Sequence, residues 1–162
     1  MKFLADSMLG KLARWLRMLG NDVIYNVQLN DNQLLELAKK EKRILLTKDL
    51  ELYQRAASRN IDAFYVEGKT ESFRLAEIAK RYDLTLDIDM EKSHCPVCNT
   101  AITPASKEQL LGELQKNTYA FYSEFWKCPN CGKIYWQGAH WKQITGTLEE
   151  AKRELKEKEV EA

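Results

Sequence analysis

No run of this 162-residue chain is apolar for long enough to span a bilayer, and Met1-Lys2-Phe3-Leu4-Ala5-Asp6 lacks the extended apolar stretch of a secretory leader. Those absences predict a cytoplasmic protein, in a compartment where disulfides do not persist. An excess of one charge is missing as well. Lys and Arg number 25 against 24 Asp and Glu, a net +1, so any pull on a polyanion must come from a local patch. The seven glycines form no GxGxxG or Walker pattern, and Gly10 is isolated, which argues against a phosphate-cradling loop. Low-complexity linkers are lacking too. What is present suffices for a core: 44% of residues are hydrophobic, and 30% charged residues keep the chain soluble. Such a length makes one domain, or one compact domain with a small metal-stabilised partner.

Cysteine is equally scarce, but its placement is ordered. The four cysteines form two matched turns, Cys95-Pro-Val-Cys98 and Cys128-Pro-Asn-Cys131-Gly132, with none left over. Each turn aims two thiolates the same way, and two turns close a tetrahedron around Zn²⁺. The 29 residues between Cys98 and Cys128 make this a zinc ribbon with a long insertion. A redox site needs one CxxC rather than two, and a disulfide pair does not suit a chain that nothing marks as secreted. His94, next to Cys95, competes as a ligand, but four thiolates already fill the coordination sphere.

The first ninety residues alternate short apolar runs with amphipathic ones. Strands are expected at Lys2–Ala5, Asp22–Tyr25, Arg43–Thr47 and Ala63–Val66. Helices are expected over Met8–Leu19, from Asn30/Asp31 onward, over Leu50–Ser58 and over Ser72–Tyr82. That order, β-α-β-α-β-α-β-α, implies an α/β fold: a mainly parallel sheet with helices on both faces. A second region begins near Ser93, with aromatic strands around Phe121–Trp126 and Lys133–Trp136 and a helical insertion over Lys107–Lys116. The division is residues 1–90 for the α/β domain, 91–146 for the ribbon and 147–162 for a charged helix or tail that Thr147 and Glu150 would cap.

Ligands of open α/β sheets gather beyond the carboxyl ends of the strands. Asp6 follows the first strand, Asp31 leaves the second, and Asp49 follows the third, with Glu51 two residues on. Carboxylates crowded at one edge repel unless a cation lies between them, and Mg²⁺ or Mn²⁺ suits such oxygens. Each acid also has a plainer role. Asp31 and Asp49 can stabilise the starts of their helices, and Glu36 and Glu51 can be exposed helix residues. Asp6 is harder to dismiss, because at the end of a short strand the sequence demands no capping task of it. Along the first helix, Lys11, Arg14 and Arg17 share the side opposite the apolar arc, and Lys48 adjoins Asp49. Cations beside an acidic cluster suit a polyanionic substrate laid across bound metal.

The segment Phe3-Leu4-Ala5-Asp6-Ser7-Met8-Leu9-Gly10-Lys11-Leu12-Ala13-Arg14-Trp15-Leu16-Arg17, then Asp31, then Arg43-Ile44-Leu45-Leu46-Thr47-Lys48-Asp49, resembles the mut-seven C-terminal ribonuclease domain. The ribbon ending Cys131-Gly132-Lys133-Ile134-Tyr135-Trp136-Gln137-Gly138-Ala139-His140-Trp141 is similar to that family's too. The resemblance spans about residues 1 to 145. It implies a Rossmann-like, PIN-like fold and metal-dependent cleavage of RNA. It also implies that Asp6, Asp31 and Asp49 take the places of the family's acids. In this reading those three hold Mg²⁺ or Mn²⁺, with Glu36 and Glu51 competing for a fourth place. Lys11, Arg14, Arg17 and Lys48 neutralise phosphates. His140 is either a packed or exposed ribbon residue or part of a Gly138–Trp141 segment that folds back toward the RNA.

Two other functions compete. A non-catalytic RNA-binding module would stack unpaired bases on Tyr119, Phe121, Tyr122, Trp126 and Trp136, although these rings also suit the ribbon's own small core. A metal-dependent phosphatase or nucleotidase would use the same acids.

Overall fold

The computed structural model describes residues 1–161. Four strands, β1 (Lys2–Ala5), β2 (Asp22–Tyr25), β3 (Ile44–Thr47) and β4 (Ala63–Tyr65), form a parallel sheet in the order β2-β1-β3-β4. The two central strands show why. Their side chains alternate between two cores, Phe3, Ala5, Ile44 and Leu46 into one and Leu4 and Leu45 into the other. A strand apolar on both faces needs helices on both.

The helices α1 (Gly10–Met18) and α4 (Glu71–Tyr82) cover the first face through Leu12, Leu16, Leu75 and Ile78. On the second face lie α2 (Asp31–Glu41) and α3 (Leu50–Ser58), through Leu34, Leu35, Leu52 and Ala56. A 3-10 turn at Ser7–Leu9 joins β1 to α1. Asn30 caps α2 in a reciprocal box with Gln33, and Thr70 caps α4.

The second unit is an antiparallel sheet of β5 (Thr103–Ala105), β6 (Phe125–Lys127) and β7 (Ile134–Tyr135), in the order β5-β6-β7. Its small core comprises Cys95, Ile102, Trp126 and Cys128, with Tyr135 and Met90 against it. The insertion departs from expectation. A 3-10 turn at Glu108–Leu110 precedes Gly112, which holds φ +84°, and α5 runs from Lys116 to Phe121. A left-handed glycine ends one turn and permits a new direction.

The chain closes with α6 (Trp141–Glu161). This helix is no solvated tail. Leu148 and Ala151 are buried in the first core, with Ile144 and Leu155 against it, a stripe at helical spacing. Thr147 does not cap it. The helix starts six residues earlier, and the Thr147 hydroxyl donates to the Gln143 carbonyl at 3.2 Å.

The ribbon is tied to the amino edge of the parallel sheet. Asn99 follows the first CxxC turn in a left-handed conformation, φ +72°, which asparagine tolerates. Its side chain accepts from the Val23 amide at 2.8 Å and donates to Asp22 at 2.7 Å. Asp22 in turn pairs with the buried Arg43 at 2.9 Å.

Candidate functional site

In the order β2-β1-β3-β4 the chain leaves β1 toward one side and returns on the other, so the crevice between β1 and β3 is the topological switch point. Asp6 stands at its lip. The Asp6 amide extends the β1–β3 ladder by donating to the Leu46 carbonyl at 2.9 Å, which fixes where the side chain begins. Its carboxylate accepts from the Ser7 amide at 2.6 Å and from the Thr47 hydroxyl at 2.8 Å. The same hydroxyl oxygen accepts from the Asp49 amide at 2.9 Å. Thr47 therefore clamps Asp6 to the Asp49 backbone. Asp49 also caps α3, accepting from the Leu52 amide at 3.2 Å.

Thr47 was not among the residues expected at the site. The available signal was a hydroxyl ending an otherwise apolar strand, fully buried at 0% exposure. A buried hydroxyl is placed there for its hydrogen bonds. Tyr25 is a second addition. Its hydroxyl donates to the Ser7 carbonyl at 2.7 Å and lies so near Gly10 that a Cβ there would come within 2.9 Å of it.

Asp31 lies on the same edge, at the first turn of α2, but faces solvent. It is half exposed and pairs with Arg55 at 3.8 Å, while Arg55 also holds Asn32. The cap on α2 belongs to Asn30. Glu36 and Glu51 are exposed on their helices, and Lys48 is half-buried beside Asp49. Among the described residues, the four cysteines are the one group of three or more metal-ligating side chains drawn together.

The cations of α1 divide. Lys11 and Arg14 are exposed three residues apart on one face. Arg17, expected beside them, is buried instead. Its Nε donates to the Val23 carbonyl at 2.9 Å and its Nη1 to the Pro96 carbonyl at 2.8 Å. Burial lowers its pKa, while the Cys95 and Cys98 sulfurs oppose that. Arg17 anchors the first CxxC turn, so its guanidinium is spent on the protein's own backbone.

The cysteine cluster has the dimensions of a zinc site. Four sulfurs at about 2.3 Å from an ion stand about 3.8 Å apart. Here Cys95 and Cys131 sulfurs are 3.7 Å apart, Cys98 and Cys128 3.4 Å, and all four lie within 4.8 Å of one another. Thr100, through its hydroxyl and backbone amide, brings the Cys98 thiol down to about 5. Cys131 receives the Lys133 amide, yet burial and the three neighbouring sulfurs push it up to about 11. One thiolate thus suppresses the next, and a dication removes that penalty. The Tyr135 hydroxyl, 3.0 Å from Cys95 Sγ, is kept protonated by burial and by that thiol, so it is a donor to that sulfur.

At the switch point the donor set also suits a hard cation. Two carboxylates just past adjacent strand ends, Asp6 with one donor on Oδ2 and Asp49 with one on Oδ1, match Mg²⁺ or Mn²⁺, which binds one or two carboxylates and leaves room for water and phosphate. They do not make a closed cage.

A covered parallel sheet with acids at its switch point and a four-cysteine ribbon defines a Rossmann-like α/β protein with a zinc-ribbon module. Residues 1–148 match the Mut7-C RNAse domain, and the chain belongs to that family. The match takes in the ribbon and the first turns of α6, so these are parts of the family's unit. No curated protein and no solved structure matches the chain. Among the described residues no helix is long and apolar enough to cross a membrane.

Proposed function

We propose that the protein is a metal-dependent endoribonuclease. Membership in an RNAse-domain family makes RNA the substrate class. The observation that carries the catalytic reading is the joining of Asp6 and Asp49 through one buried threonine hydroxyl at the switch point. Asp6 and Asp49 would hold Mg²⁺ or Mn²⁺. Bound there, such an ion would supply Lewis-acid polarisation of the scissile phosphate and a lowered pKa for an attacking water.

The chain's own part is positioning and charge. Thr47 and the Ser7 amide hold the Asp6 carboxylate in one orientation, so no reorganisation is left for the reaction itself. Lys48 beside Asp49, and Lys11 and Arg14 along α1, offset the phosphate charges. Asp31 stands at the rim, where Arg55 balances it, and contributes less than the other two. The cysteines hold zinc, which keeps the ribbon folded against α1.

Cleavage of single-stranded RNA with Mg²⁺ or Mn²⁺ tests this. Asp6→Asn and Asp49→Asn should abolish cleavage and leave RNA affinity largely intact, and Asp31→Asn should be the milder change. One observation, Asp31 turned to Arg55, favours a non-catalytic RNA-binding module instead. That reading wins when zinc-loaded protein with added Mg²⁺ or Mn²⁺ cuts nothing and binds RNA equally before and after the substitutions.

A further inference from the structure

Between α1 and the ribbon lies a cleft of about 290 Å³ whose lining includes Arg14, His94, Tyr135, Trp136, His140 and Trp141. Two tryptophans, a tyrosine and both of the chain's histidines thus share one concavity. Its volume sits at the low end for small-molecule sites, the scale of a single heterocycle rather than a peptide helix. Resting on the ribonuclease reading above, we propose that this cleft receives one unpaired nucleobase of the RNA strand.

Three features select that occupant. The first is a charged path. Lys11 and Arg14 are exposed on one face of α1, and Met18, one turn beyond Arg14, lines the same cleft. Helix rises put Arg14 about 12 Å along from the Asp6 end. A strand whose phosphates follow Lys11 and Arg14 from the acids reaches the cleft within a few nucleotides. The second is flat π surface, which bases stack upon whatever their identity. The third is a polar edge. His94 Nδ1 donates to the Asn99 carbonyl at 2.7 Å, which fixes the ring and leaves Nε2 as its other polar atom for the edge of a base. Gly138 lets the chain close around the aromatic wall, since a Cβ there would come within 2.7 Å of the Trp136 indole nitrogen.

Binding of single-stranded RNA oligonucleotides to the full zinc-loaded chain, without added Mg²⁺ or Mn²⁺, tests this by fluorescence anisotropy. Each position is made abasic in turn. One position should weaken affinity by about 5- to 150-fold, well beyond the others. Trp141→Leu should flatten that scan, and Trp141→Phe should preserve it. A flat scan in the wild type overturns the proposal, and so does an unchanged scan in a zinc-loaded Trp141→Leu protein. The wild-type scan decides the matter even where the variant fails to fold. A flat scan with metal-dependent cleavage intact removes the nucleobase site alone. A peaked scan without any cleavage removes the catalytic reading alone.

Discussion

Asp6 and Asp49 differ in how their surroundings commit them. Asp6 is buried, with Thr47 on one carboxylate oxygen and the Ser7 amide on the other. Asp49 spends one oxygen on its helix. Thr47 is the shared element, so Thr47→Val should strand the Asp49 amide and release Asp6. A destabilisation of about 1–3 kcal/mol by denaturant unfolding is expected, with slower RNA cleavage, and Thr47→Ser should restore both. Equal activity in Thr47→Val would remove the clamp from the mechanism. Asp22 offers a pH test. Burial raises its pKa, but hydrogen bonds from Arg43 and Asn99 outweigh that and leave it below the usual value. A depressed carboxyl stabilises the fold fully above its unfolded pKa, and that contribution is lost as pH falls through the lower folded value. Acid unfolding curves should therefore lose part of their slope below about pH 4 in Asp22→Asn.

The helix α1 does two jobs because its cations point two ways. Arg14→Ala should leave the melting temperature unchanged, weaken RNA binding, and lower its salt slope by about one. Arg17→Ala should do the reverse. It strands the Val23 and Pro96 carbonyls and should cost about 2–4 kcal/mol in unfolding free energy. A salt slope that drops in Arg17→Ala at unchanged stability would return that residue to the RNA surface. At the start of the same helix, Gly10 makes room for Tyr25. Alanine there gains helix propensity, but its Cβ would come within 3.1 and 3.3 Å of two Tyr25 ring carbons as well as crowding the hydroxyl, so Gly10→Ala should destabilise the fold in thermal unfolding, and Tyr25→Phe should not rescue it, since Phe keeps those carbons.

The four-cysteine centre is tied into the whole molecule. The first CxxC turn is bonded into β2 through Asn99 and to α1 through Arg17, and the Ser93 hydroxyl donates to the Met18 carbonyl at 2.9 Å. Cys128→Ser, or removal of zinc, should loosen β2 and the end of α1 as well as the ribbon. Hydrogen exchange reads this directly: protection confined to normal values in β2 would show two independent units. Protons compete for the thiolates, so zinc release to a chromogenic chelator should rise as pH falls.

Much of this was legible in the chain. Unbroken apolar runs in Phe3–Ala5 and Ile44–Leu46 require a sheet covered on both faces, and paired CxxC turns require a common centre, because both are local patterns with fixed periods. The positions of Asp6 and Asp49 just after β1 and β3 could be read from the strand pattern. Other features depended on neighbours far away in sequence. Arg17 turned inward because the Pro96 carbonyl, 79 residues away, came within reach, and Asp31 turned outward to Arg55. The charged end became a core helix because α4 offered it an apolar stripe. Thr47 acquired its role only when β1 and β3 became neighbours. Side-chain direction and hydrogen-bond partnership are properties of the assembled surface, and a one-dimensional pattern carries the residue without its partner.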